Sequence, residues 1–259
     1  MDFAPRLPYD RLCAEIAAQA DLLRTTAEGA DLARDVPTCP GWNVAQLLRH
    51  LGGGLRWAEE IVRTRADGPP DDTHFRQVAA DPDPGLGRWV AEGGRALATT
   101  LRTAGPDARV WSFVSGGTRF WARRFAHETL IHRADATLAL GADFTVEPDV
   151  ALDALDEWMT LGTLPHVLEA HPEQRELLGA GRTIHLHATD AGPGAEWLVD
   201  LTGDTIAWRP THEKAAVAVR GPLLDLLLLV YGRRPLGRGT EVFGDRDLLD
   251  FWLARTSFA

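Results

Sequence analysis

The stretch Arg123-Arg-Phe-Ala-His-Glu-Thr-Leu-Ile-His-Arg-Ala-Asp135 decides how the first half of this chain is read. It contains neither proline nor glycine, and its residues favour a helix. Glu128 and His132 stand four apart and Asp135 three further on, so the three side chains share one helical face. A glutamate and a histidine on one face make either a solvated ion pair or two ligands of a metal. His127 beside Glu128 suggests a metalloprotease motif, which needs a second histidine at i+4. Here that histidine falls at i+5, about 140° around the helix by its pitch, so one ion does not take both. His127 shares its flank with Ile131, Ala134 and Leu138 and is expected to pack rather than ligate.

Working outward, residues 9–28 carry Leu12, Ile16, Ala20, Leu22 and Leu23 at helical spacing, with Gly29 as the stop. Pro37, Pro40 and Gly41 make residues 35–42 a rigid loop. Asn43 caps a second helix, with Val44, Leu47, Leu48 and Leu51 on its apolar side, which passes through Gly52-Gly-Gly54 to about Arg65. A polar connection over residues 66–84 leads to a third helix at 86–104, and the quoted stretch lies in a fourth at 118–140. Four helices with one long connection predict an antiparallel four-helix bundle.

The second half changes period. Asp149 is expected to cap a short helix with Leu152, Leu155 and Trp158 inward. Residues 183–189 alternate as a strand, and 197–201, 205–208 and 215–219 read as three more, parted by glycine and aspartate turns. Gly221-Pro222 opens an apolar helix through Tyr231, and Asp245 opens a last one toward Phe251 and Trp252. Helices beside an antiparallel sheet give an α+β domain. The expected domains are 1–145 and 146–259, with the boundary near 141–148.

Composition narrows the function. Apolar residues at 45% and charged residues at 25% are ordinary for a globular protein, and 259 residues suit two domains. A net charge of −10, with arginines clustered only at Arg123-Arg124 and Arg233-Arg234, points away from nucleic acid. Such arginines suit a small carboxylate instead. Cys13 and Cys39 are the only cysteines, which leaves no disulfide framework or sulfur-rich metal site and suits a cytoplasmic setting. The start, Met1-Asp-Phe-Ala-Pro-Arg6, has no basic and apolar signal pattern. The longest apolar run, residues 223–231, contains Asp225 and is too short to span a bilayer, so no membrane association is expected.

Thr38-Cys-Pro-Gly-Trp42 followed by Leu48-Arg-His-Leu-Gly52 resembles the N-terminal signature of the mycothiol-dependent maleylpyruvate isomerase family. Arg124-Phe-Ala-His-Glu-x-x-x-His-Arg-x-Asp-Ala136 resembles its second signature. The family belongs to the DinB-like metalloenzyme bundles. Its members often carry a C-terminal domain similar to sterol carrier proteins, which Gly221-Pro-Leu-Leu-Asp-Leu-Leu-Leu-Leu229, Gly232-Arg233 and Gly244-Asp245 resemble. By motif position the resemblance implies that His50, Glu128 and His132 are metal ligands. Asp135 is then placed to orient a metal-bound histidine. Two neutral imidazoles and one carboxylate leave a divalent ion, most simply Zn2+, with an open fourth position, as in catalytic rather than structural sites.

The resemblance further implies a thiol cosubstrate, mycothiol, the sugar-linked cysteine thiol of actinobacteria. Its thiolate would attack a small electrophile, either in maleylpyruvate-type cis–trans isomerisation or in S-conjugation. A non-catalytic module that binds a thiol or another small molecule is the alternative of a different class. Arg233 is the candidate for substrate recognition, and equally a helix C-terminal arginine facing the dipole. Arg124 is expected to be solvated or paired, and Trp42 and Trp121 to pack. Cys39 adjoins no basic residue in sequence and is expected to belong to the loop. His185 and His187 face one side of a strand and are expected to meet solvent, since no third ligand is evident in the sequence.

Overall fold

The computed structural model describes residues 5–73, 79–237 and 239–256. Residues 74–78, part of the expected polar connection, lie outside the described residues, as do residues 1–4 with the start of the chain. The chain divides into two compact units, one of Leu7–Phe144 and one of Thr145–Ala259 with Met1–Arg6.

Four helices of the described residues build the first unit: α1 (Tyr9–Ala27), α2 (Val44–Thr64), α3 (Leu86–Ala104) and α4 (Thr118–Ala139). The α1 stripe of Leu12, Ile16, Ala20 and Leu23 is fully covered. A complete capping box starts α2: the Asn43 side chain accepts from the Gln46 N–H while Gln46 accepts from the Asn43 N–H. Helix α3 packs on both α1 and α2, and α4 packs on α1 and less extensively on α2. Close approach rests on missing side chains. A Cβ at Gly94 would stand 2.6 Å from Ala20 Cβ, and one at Gly52 would enter the Trp89 ring.

Helix α4 is buried along almost its whole length, including Thr129, His132, Arg133 and Asp135. Buried polar groups need partners. Arg133 Nε donates to Gln19 Oε1 at 2.7 Å, and Gln19 Nε2 donates to Glu15 Oε2 at 2.9 Å, a chain that ties α4 to α1. Thr129 and Thr137 bond back to the carbonyls one turn earlier. Beside the start of α4, Trp121 Nε1 donates to the Trp111 carbonyl at 2.6 Å, and Trp57, Trp111 and Trp121 pack edge to face or tilted.

The second unit contains α5 (Pro148–Gly162), α6 (Pro165–Ala170), a short 3-10 helix (Pro172–Leu177), β1 (Thr183–Ala188), β2 (Glu196–Asp200), β3 (Ala207–Arg209), β4 (Val217–Gly221), α7 (Leu223–Val230), β5 (Glu241–Gly244) and α8 (Arg246–Thr256). Helix α5 is capped at Glu147 rather than Asp149 and starts two residues earlier than an Asp149 cap implies, since Pro148 at its first position loses no hydrogen bond there. Asp245 Oδ1 accepts from the Leu248 N–H at the start of α8. Arg6 belongs here because its N–H and guanidinium bond Asp153 and Asp156 of α5.

The strands run β3-β2-β1-β4-β5 across one sheet. The unit is α+β, but the expectation of a purely antiparallel sheet is corrected: β1 and β4 pair in parallel, with Ile184 opposite Val217 and Leu186 opposite Val219. The reason is the path of the chain. Strands β1, β2 and β3 form a meander off one edge of β1, and β4 then returns to the other edge in the direction of β1. Strand β5 closes that side antiparallel to β4. Ile184, Leu186, Trp197, Val199, Val217 and Val219 form the fully covered face. On that face Trp197 Nε1 donates to Asp156 of α5. His185, His187 and Glu196 occupy the opposite face, along which the connection from β3 to β4 brings His212.

Candidate metal centre

The loop before α2 and the middle of α4 create the centre. Backbone bonds from Val36 N to Trp42 O, Cys39 N to Val36 O and Trp42 N to Cys39 O fold the loop tightly. One and a half turns into α2, His50 then faces α4. His50 Nε2 lies 3.8 Å from Glu128 Oε1, and His132 Nε2 lies 3.1 Å from the same oxygen. The two imidazoles stand edge to face with centroids 5.4 Å apart. One ligand atom from each of His50, Glu128 and His132 falls within 4.8 Å of the other two.

Behind His132 stands Asp135, wholly buried, with Oδ2 3.0 Å from His132 Nδ1. Thr38 Oγ1 donates to Asp135 Oδ1 at 2.6 Å, and Cys39 Sγ lies 3.5 Å from Oδ2. Local sequence puts Thr38 and Cys39 in a rigid loop and carries no sign of what that loop meets. It meets the carboxylate that holds His132.

Electrostatics follow from this packing. Burial opposes ionisation of Glu128, but His132 next to it, hydrogen bonds from His132 and His50, and the Arg124 cation outweigh it and hold the carboxyl well below its usual range. Burial likewise opposes protonation of His132, and the Glu128 charge with the Asp135 hydrogen bond outweighs it and raises the imidazole well above its usual range. A cluster that attracts a proton to Nε2 so strongly presents the same lone pair and negative charge to a cation.

Two overlapping groups share His132. The group of Cys39, His132 and Asp135 uses the Nδ1 side, where Asp135 is already engaged by Thr38. The group of His50, Glu128 and His132 uses the Nε2 side, where His50 and Glu128 remain partly exposed, with side chains 28% and 33% accessible. The outer group therefore has the donors and the access that a divalent ion with an exchangeable position requires. The inner one has the hydrogen bonds that orient a ligand imidazole.

Other candidates fall as follows. His127 is fully buried in α4 and stands in none of the metal-ligating groups of the described residues. Arg124 Nη2 lies 3.5 Å from Glu128 Oε2, so it pairs with a ligand candidate. Trp121 is buried, and the Trp42 ring packs against His50 at 4.9 Å. Arg233 follows α7 in the second unit, where its Nη1 donates to the Tyr231 carbonyl at 2.6 Å, the arrangement of a helix C-terminal arginine. His185 is not solvent-facing as expected: it is 5% exposed and bonds Glu196.

Comparison with known proteins gives a consistent picture. Residues 13–137 match the model of the "Mycothiol maleylpyruvate isomerase N-terminal domain", and residues 149–251 match that of the "MDMPI C-terminal domain". No curated protein matches the sequence. Among solved structures, the mycothiol-dependent maleylpyruvate isomerase superposes with a TM-score of 0.59 at 15% identity, over 91% of this chain and 93% of that one. A histidine-to-alanine mutant of a mycothiol-dependent maleylpyruvate isomerase gives 0.59 at 16% identity with the same coverage. At such identity the likeness speaks for the fold. Among the described residues, no helix is long and apolar enough to cross a membrane.

Proposed function

The chain belongs to the mycothiol-dependent maleylpyruvate isomerase family, and from that premise we propose an enzyme that directs the thiol of mycothiol at a small electrophile from a metal centre of His50, Glu128 and His132. The observation that carries this reading is the meeting of imidazoles from α2 and α4 at one oxygen of Glu128, with a buried aspartate behind one of them.

Each residue has a task set by its surroundings. Asp135 accepts the Nδ1–H of His132, which fixes the tautomer and turns the Nε2 lone pair toward His50 and Glu128. Thr38 holds Asp135 in turn. Glu128 supplies the negative charge of the donor set, and the Trp42 ring limits the movement of His50. His50, Glu128 and His132 would hold a divalent ion, Zn2+ by donor type, which would supply Lewis acidity that favours the thiolate form of a thiol at neutral pH. Addition of the mycothiol thiolate to an activated double bond, rotation about the resulting single bond and elimination of the same thiolate would give the isomer. Retention of the new carbon–sulfur bond, with a proton taken up at the neighbouring carbon, would give the S-conjugate.

The test is metal analysis together with mycothiol consumption and product formation across maleylpyruvate and other electrophiles. His50→Ala and His132→Ala are each expected to lose one metal equivalent and thiol-dependent turnover. Full turnover by metal-free protein defeats the proposal. Metal-dependent binding of mycothiol without conversion of any electrophile would favour the non-catalytic module instead.

A further inference from the structure

The face of the sheet away from the helices of the second unit carries a second convergence of donors. His187 stands directly opposite Glu196 in the β1–β2 register, and His185 lies two residues back on the same face. His212 arrives from the connection between β3 and β4. Glu196 Oε2 is 2.9 Å from His185 Nε2 and 2.5 Å from His212 Nδ1, and Oε1 is 3.2 Å from His187 Nδ1.

A hydrogen-bonded cluster is the simpler description, and the ring geometry goes beyond it. The three imidazole centroids are 5.4, 6.0 and 6.2 Å apart, with planes at 88°, 76° and 63°. Imidazoles bound to one tetrahedral ion through nitrogens at about 2.0–2.1 Å place their donor atoms roughly 3.3 Å apart and their ring centres about 5 Å apart. His185 and His212 nearly meet that arrangement, and both address one carboxylate oxygen. The three histidines border an open hollow of about 350 Å³ together with Ala218, Val219, Arg220 and Phe243, which gives an ion a route from solvent.

We propose that the second unit binds a late first-row divalent ion, Zn2+ by donor type, through His185, Glu196 and His212, with His187 steadying the other oxygen of Glu196. One ligand atom of each of the three residues lies within 4.8 Å of the other two. The ion joins the β3–β4 connection to the strands beneath it. This site is separate in residues from the centre of the first unit and does not rest on the functional reading given for that centre.

The test uses the full chain, stripped with a chelator and titrated with ZnCl2 by calorimetry, with metal content measured after desalting. The parent is expected to hold about two equivalents at micromolar free Zn2+, and His212→Ala and Glu196→Gln about one. His212 has a side chain 77% exposed, so its replacement leaves the fold in place. In a His50→Ala background, Co2+ is expected to give tetrahedral d–d absorption that disappears on adding His212→Ala. Equal zinc content in the parent and His212→Ala, or no zinc or cobalt held by His50→Ala, overturns the proposal. If instead His50→Ala holds as much zinc as the parent, the first centre is misread, and the His212-dependent equivalent still decides this one.

Discussion

Asp135→Asn perturbs the centre of the first unit with no change of shape, and the structure sets the size of the effect. Asp135 is wholly buried between His132 Nδ1 at 3.0 Å and Thr38 Oγ1 at 2.6 Å. An asparagine there has two orientations. With its oxygen toward His132 it keeps the tautomer and loses the charge. A charge-assisted bond of about 1.5–3 kcal/mol then becomes a neutral one of about 1 kcal/mol. With its nitrogen toward His132 it forces Nδ1 to accept, which moves the ring proton to Nε2 and blocks ligation. The first orientation weakens zinc by about 0.5–2 kcal/mol and the second by more, so the expected loss is about 10- to 100-fold in affinity, the range usual for partners that orient a metal ligand. Competition of metal-free protein with a chromogenic zinc chelator, in a His212→Ala background, measures this centre alone. Thr38→Val, which removes only the outer hydrogen bond, is expected to cost a few-fold. An Asp135→Asn protein with native circular dichroism and zinc affinity within twofold of its parent refutes the reasoning.

Four further outcomes are expected. Gly94→Ala drives a methyl to 2.6 Å from Ala20 Cβ, which no rotamer change relieves. It should therefore cost about 1–2 kcal/mol in urea unfolding even after the gain in helix propensity. Gly52→Ala should cost less, since the half-exposed Trp89 ring can swing away. Burial pushes the Cys13 thiol from 9.0 to about 11. An unfolded chain ionises first as pH rises, so this contribution to stability is intact well below pH 9 and falls by about 2 kcal/mol by pH 11. Cys13→Ala should flatten that alkaline limb in a pH series of urea melts. Arg124→Met removes a cation 3.5 Å from Glu128 Oε2. It should tighten zinc at that centre by at least about threefold in the chelator competition, since like charges compete for the carboxylate.

The two halves of the chain differ in how much of their structure local sequence carries. Helix positions in the first unit follow from a 3.6-residue period and from caps such as Asn43, both of which are local. The sheet is less legible. Alternation tells which residues of β1 share a face and is blind to strand direction, so the parallel partner β4 is decided by a crossover that no local pattern encodes. Strand β5 went unrecognised because Glu241-Val-Phe-Gly244 is short and mostly exposed.

The same division runs through both donor clusters. Glu128 and His132 are joined by helical spacing, and His185 and His187 by strand alternation, so each of these pairs is visible in the sequence. His50 and His212 are not joined to their partners by any spacing. A motif resemblance brings His50 forward, and nothing comparable exists for His212. In each proposed centre the remote histidine is the residue that completes the donor set. Without His50, Glu128 and His132 are an i,i+4 ion pair on a single helix. With it, three donors from two helices face one point, and only tertiary packing holds them there before any ion arrives. The affinity of such a site depends on that preorganisation. Substitutions that shift α2 against α4 without touching a donor, such as Gly54→Leu, whose side chain must extend past a Cβ already in contact with the Phe125 ring at 3.5 Å, should therefore weaken zinc binding before they unfold the bundle.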